Sequence, residues 1–582
     1  MANTTSTATT SSYSVPAESE RLLLHALLDN PKIKKDIPHE ALQFASRVVF
    51  TGSDLPSIAV NWRFAESVAS LKALEACMIA ALVKRKYDVD LSGANINVDH
   101  AQLFFMSALV WTIDHADTTI GRGQNMDKLE DVGIPNYDFH RMWSNPYRTC
   151  ATNIYRTEDD RFFHLHGGMN PKPTFDCLGL PEDRPDLETF EESVQPCIQK
   201  VANMSSAELQ HLITDVYKQA GVVVETVDSF RETEQGKANA DVGLFELYRV
   251  NTVPAHRPGH WWQSTTRTSS TRPLAGLKVV DLTRVIAGPA VTRGLAELGA
   301  SVMRVTSPNV VDFSELHVDL SWGKWSCSLD LETEEGRDKL RTLIRDADVV
   351  VQGYRPGVLD KYGFSQDQMI DLVRDRPERG IISVRENCYG WHGPWSQRSG
   401  WQQISDACTG MSAGFGRAMG LSNDEPVTPV FPNSDYMTGI VGAIGVLSAL
   451  IQKADRGGSY KLDLALNYYN QWLTGWVGEY PEPIWNEVWH RNGRQVFRSC
   501  HNMNYTIPRY MKMMKENTNL FDKAEFFENR ESKALGGVTV RTVRPVIRFV
   551  DSEVQLKYNV GTRGNGRDAP RWPDDLMTEV VL

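Results

Sequence analysis

Apolar positions along this chain follow two rhythms, and the change between them comes near the middle. Over residues 21–85, in "ERLLLHALLDN" and "VNWRFAESVASLKALEACMIAALVKRKY", apolar residues recur every three or four positions, which predicts helices. "ANINVDHAQLFF" (94–105) first alternates and then turns helical, predicting a strand that leads into a helix. Two alternating runs flank an acidic turn in "NIYRTEDDRFFHLHGG" (153–168), the pattern of a β-hairpin. Helices are predicted again over 192–221. Residues 250–273 have no period and are rich in Pro, Ser, Thr and Arg, which marks a domain boundary.

Beyond that boundary short apolar strands alternate with amphipathic helices. The strands are "LKVVDLT" (277–283), "SVMRVT" (301–306), "DVVVQGY" (348–354) and "GIISVREN" (380–387); the helices cover 290–300, 334–347 and 365–377. Such alternation with short connections predicts an α/β fold, a doubly wound, mostly parallel sheet with helices on both faces, joined to an additional α+β small domain. The expected organisation is a disordered tail (1–20), a small-domain-like α+β region (21–250), a linker (251–273) and the α/β domain (274–480). A C-terminal segment (481–582), with "VTVRTVRPVIRF" as a strand, is expected to return to the α/β domain. An internal repeat is also visible. Residues 70–105 and 438–473 share the order small-residue helix, basic glycine-containing turn, alternating strand, aromatic helix.

Composition narrows the function. A chain of 582 residues is too long for one core, and a formal net charge of −11 argues against a broad nucleic-acid-binding face. Eight cysteines without a CxxC pair suit reduced thiols in a cytoplasmic protein. The Ser/Thr-rich opening lacks the apolar core of a signal peptide, and the apolar run 438–451 is too short to span a bilayer. Neither nucleic acid nor membrane is expected as a partner. His164 and His166 have the spacing that puts both on one strand face, but their neighbourhood offers no further ligand cluster, so no metal is expected.

Two places suit a ligand. In "TRVIAGPAV" the small residues Ala287 and Gly288 lie at a strand–helix turn, where backbone N–H groups meet anions. Tyr354 stands at the carboxyl end of a buried strand, where open α/β sheets bind ligands.

Residues 274–475 resemble the family III CoA-transferases, a group that includes the α-methylacyl-CoA racemases. The resemblance rests on consecutive motifs in one order: "PLAGLKVVDLTRVIAGPAVTRGLAELGASVMRV", "WSCSLDLETEEGRDKL", "DADVVVQGYRPGVLDKYGF", "CYGWHGPWSQRSGW" and "PNSDYMTGIVGAIGVLSAL". "NIYRTEDDRFFHLHGG" with "PTFDCLGLP" is similar to the family's small domain, so the chain reads as two partial copies joined. The family forms interlocked dimers; this fusion would be a pseudo-dimer within one chain, or a subunit of a homodimer.

The resemblance implies coenzyme A or acyl-CoA as a substrate, without a metal, and a carboxylic acid as the other substrate. It assigns Arg284, Ala287, Gly288, Tyr354 and Arg355 to the cofactor and Lys361 to its phosphates, although Thr306 and Ser307 replace an acidic and a basic residue of the family pattern. For CoA transfer the family uses a nucleophilic aspartate; matching "RSGWQQISDACTG" to that motif puts Gln402 at its place and Trp401 at that of the racemase histidine. The racemase aspartate matches Asp435. Two substitutes are open: Asp406, on the same helix face as Gln402, and His392 in "YGWHGP". Asp406 and Asp435 also fit capping acids, and His392 an exposed turn. The expected function is transfer of CoA between an acyl-CoA and a carboxylic acid through an altered site. The alternatives are an α-methylacyl-CoA racemase or epimerase and a non-catalytic CoA-binding scaffold.

Overall fold

The computed structural model describes residues 13–250, 259–376 and 379–578. A seven-stranded sheet forms its centre: β1 (Glu246–Val250), β2 (Lys278–Leu282), β3 (Ser301–Thr306), β4 (Lys324–Ser328), β5 (Val349–Gln352), β6 (Ile382–Asn387) and β7 (Ser459–Ala465). Their spatial order is β4–β3–β2–β5–β6–β7–β1. Strands β2 to β7 run parallel, and β1 closes one edge antiparallel to β7. Every residue of β5 is buried, which is why "VVVQ" shows no polar alternation. Val350 lies opposite Val280 of β2 and Ser383 of β6. From β2 the chain winds outward through β3 and β4, then restarts at β5 on the other side of β2. Loops leave in opposite directions at that reversal, which opens a crevice beyond the carboxyl ends of the strands.

Four helices matter for the site: α1 (Phe64–Tyr87), α2 (Ala287–Glu297), α3 (Gln402–Cys408) and α4 (Asn433–Arg456). The apolar run read as 438–451 is part of α4, 24 residues in all, which by length and composition would cross a bilayer. Here 94% of its apolar window is buried inside the fold, and it is a core helix. Its small residues permit close packing: a Cβ on Gly439 would fall 2.4 Å from the Ala290 Cβ of α2.

The internal repeat persists in the backbone. Helices α1 and α4 both have 24 residues. The residue before each takes nearly the same conformation, φ −75° and ψ 62° at Arg63 and φ −80° and ψ 58° at Pro432. Phe64 N–H donates back to the Trp62 carbonyl (2.7 Å) as Asn433 N–H donates to that of Phe431 (2.9 Å). Each helix leads to a strand and a short aromatic helix, Ala94–Asn97 with Val98–Phe104 and β7 with Leu466–Trp472.

The predicted hairpin forms between Asn153–Arg156 and Phe162–His166, with Ala220–Val223 as a third strand. Three expectations need correction. Residues 1–12 of the expected tail lie outside the described residues, but its remainder is helical: Val15–Arg21 has Pro16 in its first turn and buries Val15 and Ser19. Residues 251–258 of the linker likewise lie outside; farther on, Trp262 is buried and its indole N–H donates to the Ala275 carbonyl at 3.1 Å. The C-terminal segment does meet the α/β domain, with the Trp485 indole N–H donating to the Ala418 carbonyl (2.8 Å) and Arg498 paired with Glu425 (2.7 Å), but its strands join the N-terminal half. Phe527–Ser532 and Val538–Val543 extend the sheet of Thr112–His115, and Ile547–Phe549 pairs with Ala94–Asn97. Pro545, which has no N–H to donate, splits the expected single strand in two. Farther on, Gln555 N–H donates to the Thr271 carbonyl of the linker at 2.8 Å and Lys557 N–H to the Glu297 carbonyl of the α/β domain at 3.0 Å.

Candidate active site

The crevice above β2, β5 and β6 holds a cavity of about 380 Å³, within the range of small-molecule sites. The turn after β2 supplies Arg284 to Ala287, the end of β5 supplies Gly353 to Arg355, and the end of β6 supplies Glu386 to Cys388. Asp435 enters from the first turn of α4, and Gly167 to Asn170 reach over from the N-terminal half. Backbone strain accompanies this assembly. Val285 and Phe431 both have φ of 67°, a region costly for residues with side chains and typical of functional sites.

Of the residues expected to hold the cofactor, four line the cavity: Arg284, Ala287, Tyr354 and Arg355. The Arg284 guanidinium donates to the Val311 carbonyl (2.6 Å) and lies 5.2 Å from the Tyr354 ring centroid. Arg355 donates to the Lys218 carbonyl at 2.9 Å. Burial and then the neighbouring Arg284 lower the Arg355 pKa, so an anion between them is favoured. Two residues are not on the wall. Gly288 faces inward, since a Cβ there would strike Thr283 at 2.6–2.7 Å, and its role is close helix–strand packing. Lys361 is exposed on the turn Asp360–Tyr362, with its ammonium 4.6 Å from the Tyr362 ring centroid. Arg398, which sequence reasoning missed, does line the cavity.

The proposed catalytic residues separate in the same way. His392 does not reach the cavity; its Nε2 meets Glu246 at 2.7 Å, tying the loop after β6 to β1. Gln402 and Asp406 share one face of α3 as predicted, and Gln402 donates to the Asp406 carboxylate. Asp406 is only 1% exposed and lies behind the wall, accepting also from Asn470 Nδ2 (3.0 Å) and Ser434 Oγ (3.3 Å). Burial pushes its pKa up to about 7 despite these donors. Asp435 is the carboxylate that faces the cavity. Among the described residues no side chain or backbone group hydrogen-bonds to it, and burial, then the nearby Asp406, push its pKa up to about 8.

A second acid, Glu386, was missed. It is likewise without a hydrogen-bond partner among the described residues, and burial, then Asp435, hold it well above the usual carboxylate range. Its position at the end of β6 was the available signal, since parallel strands present their carboxyl ends to ligands. The two histidines share a strand face as predicted, with ring centroids 6.2 Å apart. Their ring nitrogens serve the fold: His164 Nδ1 meets the Leu165 carbonyl, and His166 Nδ1 accepts from Gly168 N–H while its Nε2 meets Gln403 Oε1. The His166 ring stacks on Trp401 at 5.0 Å, which fixes the end of the hairpin's second strand against the start of α3.

A crevice beyond the carboxyl ends of a parallel sheet, lined by three arginines and by two carboxylates without protein partners among the described residues, suits group transfer on an anionic carrier. Residues 274–510 match CoA-transferase family III. Over 97% of its length the chain is 48% identical to the acetyl-coenzyme A transferase nodX of Hypoxylon pulicicidum, covering 95% of that protein. It is 30% identical, over 94% of its length and 93% of the relative, to an acyl-CoA transferase of Gibberella moniliformis. The β subunit of the succinyl-CoA–L-malate CoA-transferase of Chloroflexus aurantiacus is 34% identical over 34% of the chain and half of that protein. The chain belongs to CoA-transferase family III, and CoA thioesters are the substrates that membership implies.

Proposed function

We propose that the chain transfers CoA from an acyl-CoA to a carboxylic acid, with Asp435 as the attacking group. The observation that carries this reading is the Asp435 carboxylate, which faces the crevice and has no hydrogen-bond partner among the described residues. The Asp435 oxygen attacks the thioester carbonyl, the carbon–sulfur bond breaks, and CoA leaves as thiolate, giving an acyl–aspartyl anhydride. The thiolate then attacks the aspartyl carbonyl and expels the donor carboxylate, leaving an aspartyl–CoA thioester. The incoming acid repeats both steps in reverse order and departs as the new acyl-CoA. Arg284, Arg355 and Arg398 suit the cofactor's phosphates, and backbone N–H groups at the start of α2 suit its polar groups.

Racemisation is disfavoured by Trp401, an indole with no basic nitrogen where that reaction would use a histidine. A pure scaffold role is disfavoured by two unpartnered acids, which have no structural purpose and carry a desolvation cost. The site draws Gly167–Asn170 from the N-terminal half and the sheet from the C-terminal half, so one chain supplies what interlocked subunits would share. All eight cysteines are free thiols, which fits a reducing cytoplasm. The test is mass spectrometry of proteolytic fragments after incubation with acetyl-CoA. A CoA adduct on Asp435 is expected; an adduct confined to Asp406 or Glu386, or none, overturns the assignment.

A further inference from the structure

A smaller chamber of about 120 Å³ opens beside the main cavity and shares Val285, Ile286, Trp401 and Asp435 with it. Asp435 therefore stands at the junction of the two. Much of the rest of the chamber wall is apolar, with Leu109, Trp143, Phe313, Leu316, Met503 and Ile507. Apart from Asp435, its charged and titratable groups have partners within the protein. Arg122 is bound to Glu315 at 3.2 Å. His166 has both nitrogens engaged within the protein, and its ring is held neutral by burial, with a pKa lowered to about 3. Two buried neutral polar atoms on the wall have no partner among the described residues, the Trp401 indole N–H and the side-chain carbonyl of Gln402, a residue only 3% exposed, and the half-buried Asn504 side chain lines it as well. The chamber thus offers a few neutral donors and acceptors and much apolar surface.

We propose that this chamber receives the substituent of an apolar monocarboxylic acid, up to the size of one ring, and rejects acids bearing a second carboxylate. This rests on the reading of Asp435 above, because only an acyl carbon poised at Asp435 sends its substituent through the junction. A benzene ring fills an engineered apolar cavity of about 150 Å³, which sets the upper size. A distal carboxylate would lose its water and meet no free cation, and an unpaired buried charge is strongly disfavoured. A single neutral polar substituent is tolerated, since Trp401 and Gln402 have a hydrogen bond each to give or take. The contrast is with a relative named for succinyl-CoA and L-malate, both built on dicarboxylic acids.

The test is equilibrium binding to the whole protein by calorimetry, using CoA and two unreactive thioethers, S-benzyl-CoA and S-(2-carboxyethyl)-CoA. Wild type should bind the benzyl analogue at least about tenfold more tightly than the carboxyethyl one, the size of effect a complementary pocket gives. Met503, part-buried at the start of the helix Met503–Asn517, allows a reciprocal variant: Met503→Lys adds a cation and should narrow or reverse that ratio while leaving CoA itself unaffected. Equal or tighter wild-type binding of the carboxyethyl analogue overturns the chamber's selectivity and leaves the transferase reading standing. Failure of CoA and both analogues to bind overturns that reading as well, and the chamber with it.

Discussion

Asp435 and Glu66 occupy the same place in two versions of one structural unit, each the third residue of a 24-residue helix entered through the same turn. Their fates differ. Asp435 faces an open crevice with no protein partner, whereas Glu66 is fully buried and accepts hydrogen bonds from the Tyr13 and Tyr480 hydroxyls. Arg63 lies 3.9 Å from Glu66 and pairs with Glu18 at 2.7 Å. Tyr13 and Glu18 both come from the N-terminal segment, so that segment closes the first unit where the second is left open. Strain follows the same division: Phe431 has φ of 67°, and Trp62, its counterpart, is not among the residues with positive φ. On the proposed reading a helix start is made reactive here by being left unsatisfied and strained, and structural by being plugged.

The sharpest way to break the comparison is to neutralise each acid in turn. Asp435→Asn should lower turnover by about a thousandfold or more, because a carboxamide cannot attack a thioester. Glu66→Gln should leave turnover within about twofold of wild type. Steady-state rates with acetyl-CoA decide it, and a large rate loss in Glu66→Gln would show the plugged unit taking part in chemistry.

Stability should show the reverse order. Glu66→Ala takes the acceptor from the buried Tyr480 hydroxyl and the part-buried Tyr13 hydroxyl and should cost about 3 kcal/mol in denaturant unfolding. Asp435→Ala removes a group without partners and should cost little or add stability, in keeping with the usual trade between activity and stability. If both variants lose equally, the division between open and plugged units does not hold energetically.

The sheet was legible in the sequence because two-sided burial writes itself as runs such as "VVV", and each connecting helix carries its own period. The hairpin was legible for the same local reason. What escaped were matters of long-range placement. That Pro16 and Val15 dock as a helix depends on the surface of α1, which no pattern in a Ser/Thr-rich opening reveals. Which carboxylate faces the crevice was equally hidden: Asp406 and Asp435 both read as acids near helix starts, and only packing puts one behind the wall and the other on it. Glu386 carried a usable signal at the end of β6, but its pairing with Asp435 required α4 to cross above that strand.

The smallest expected effect concerns pH and tests whether the open unit's acids act on each other. Asp435 must be ionised to attack, and its pKa is pushed up to about 8 by burial and then by the charge on Asp406. The second-order rate with acyl-CoA should therefore rise with pH and level off above about 8. Asp406→Asn removes the second cause and keeps the first, so the rise should move to lower pH without vanishing; Glu66→Gln should leave it in place. Stability gives an independent sign. Asp406 holds its proton up to about pH 7 in the folded chain, against about 3.9 for an aspartate in an unfolded chain, so the native state binds the extra proton between those limits. Wild-type stability must then fall as pH rises from about 4 to 7 on this account, and Asp406→Asn, which has no proton to lose, should flatten that fall. A rate profile that shifts while the stability profile does not would mean that Asp406 acts on the rate through the packing it supports and not through its own titration.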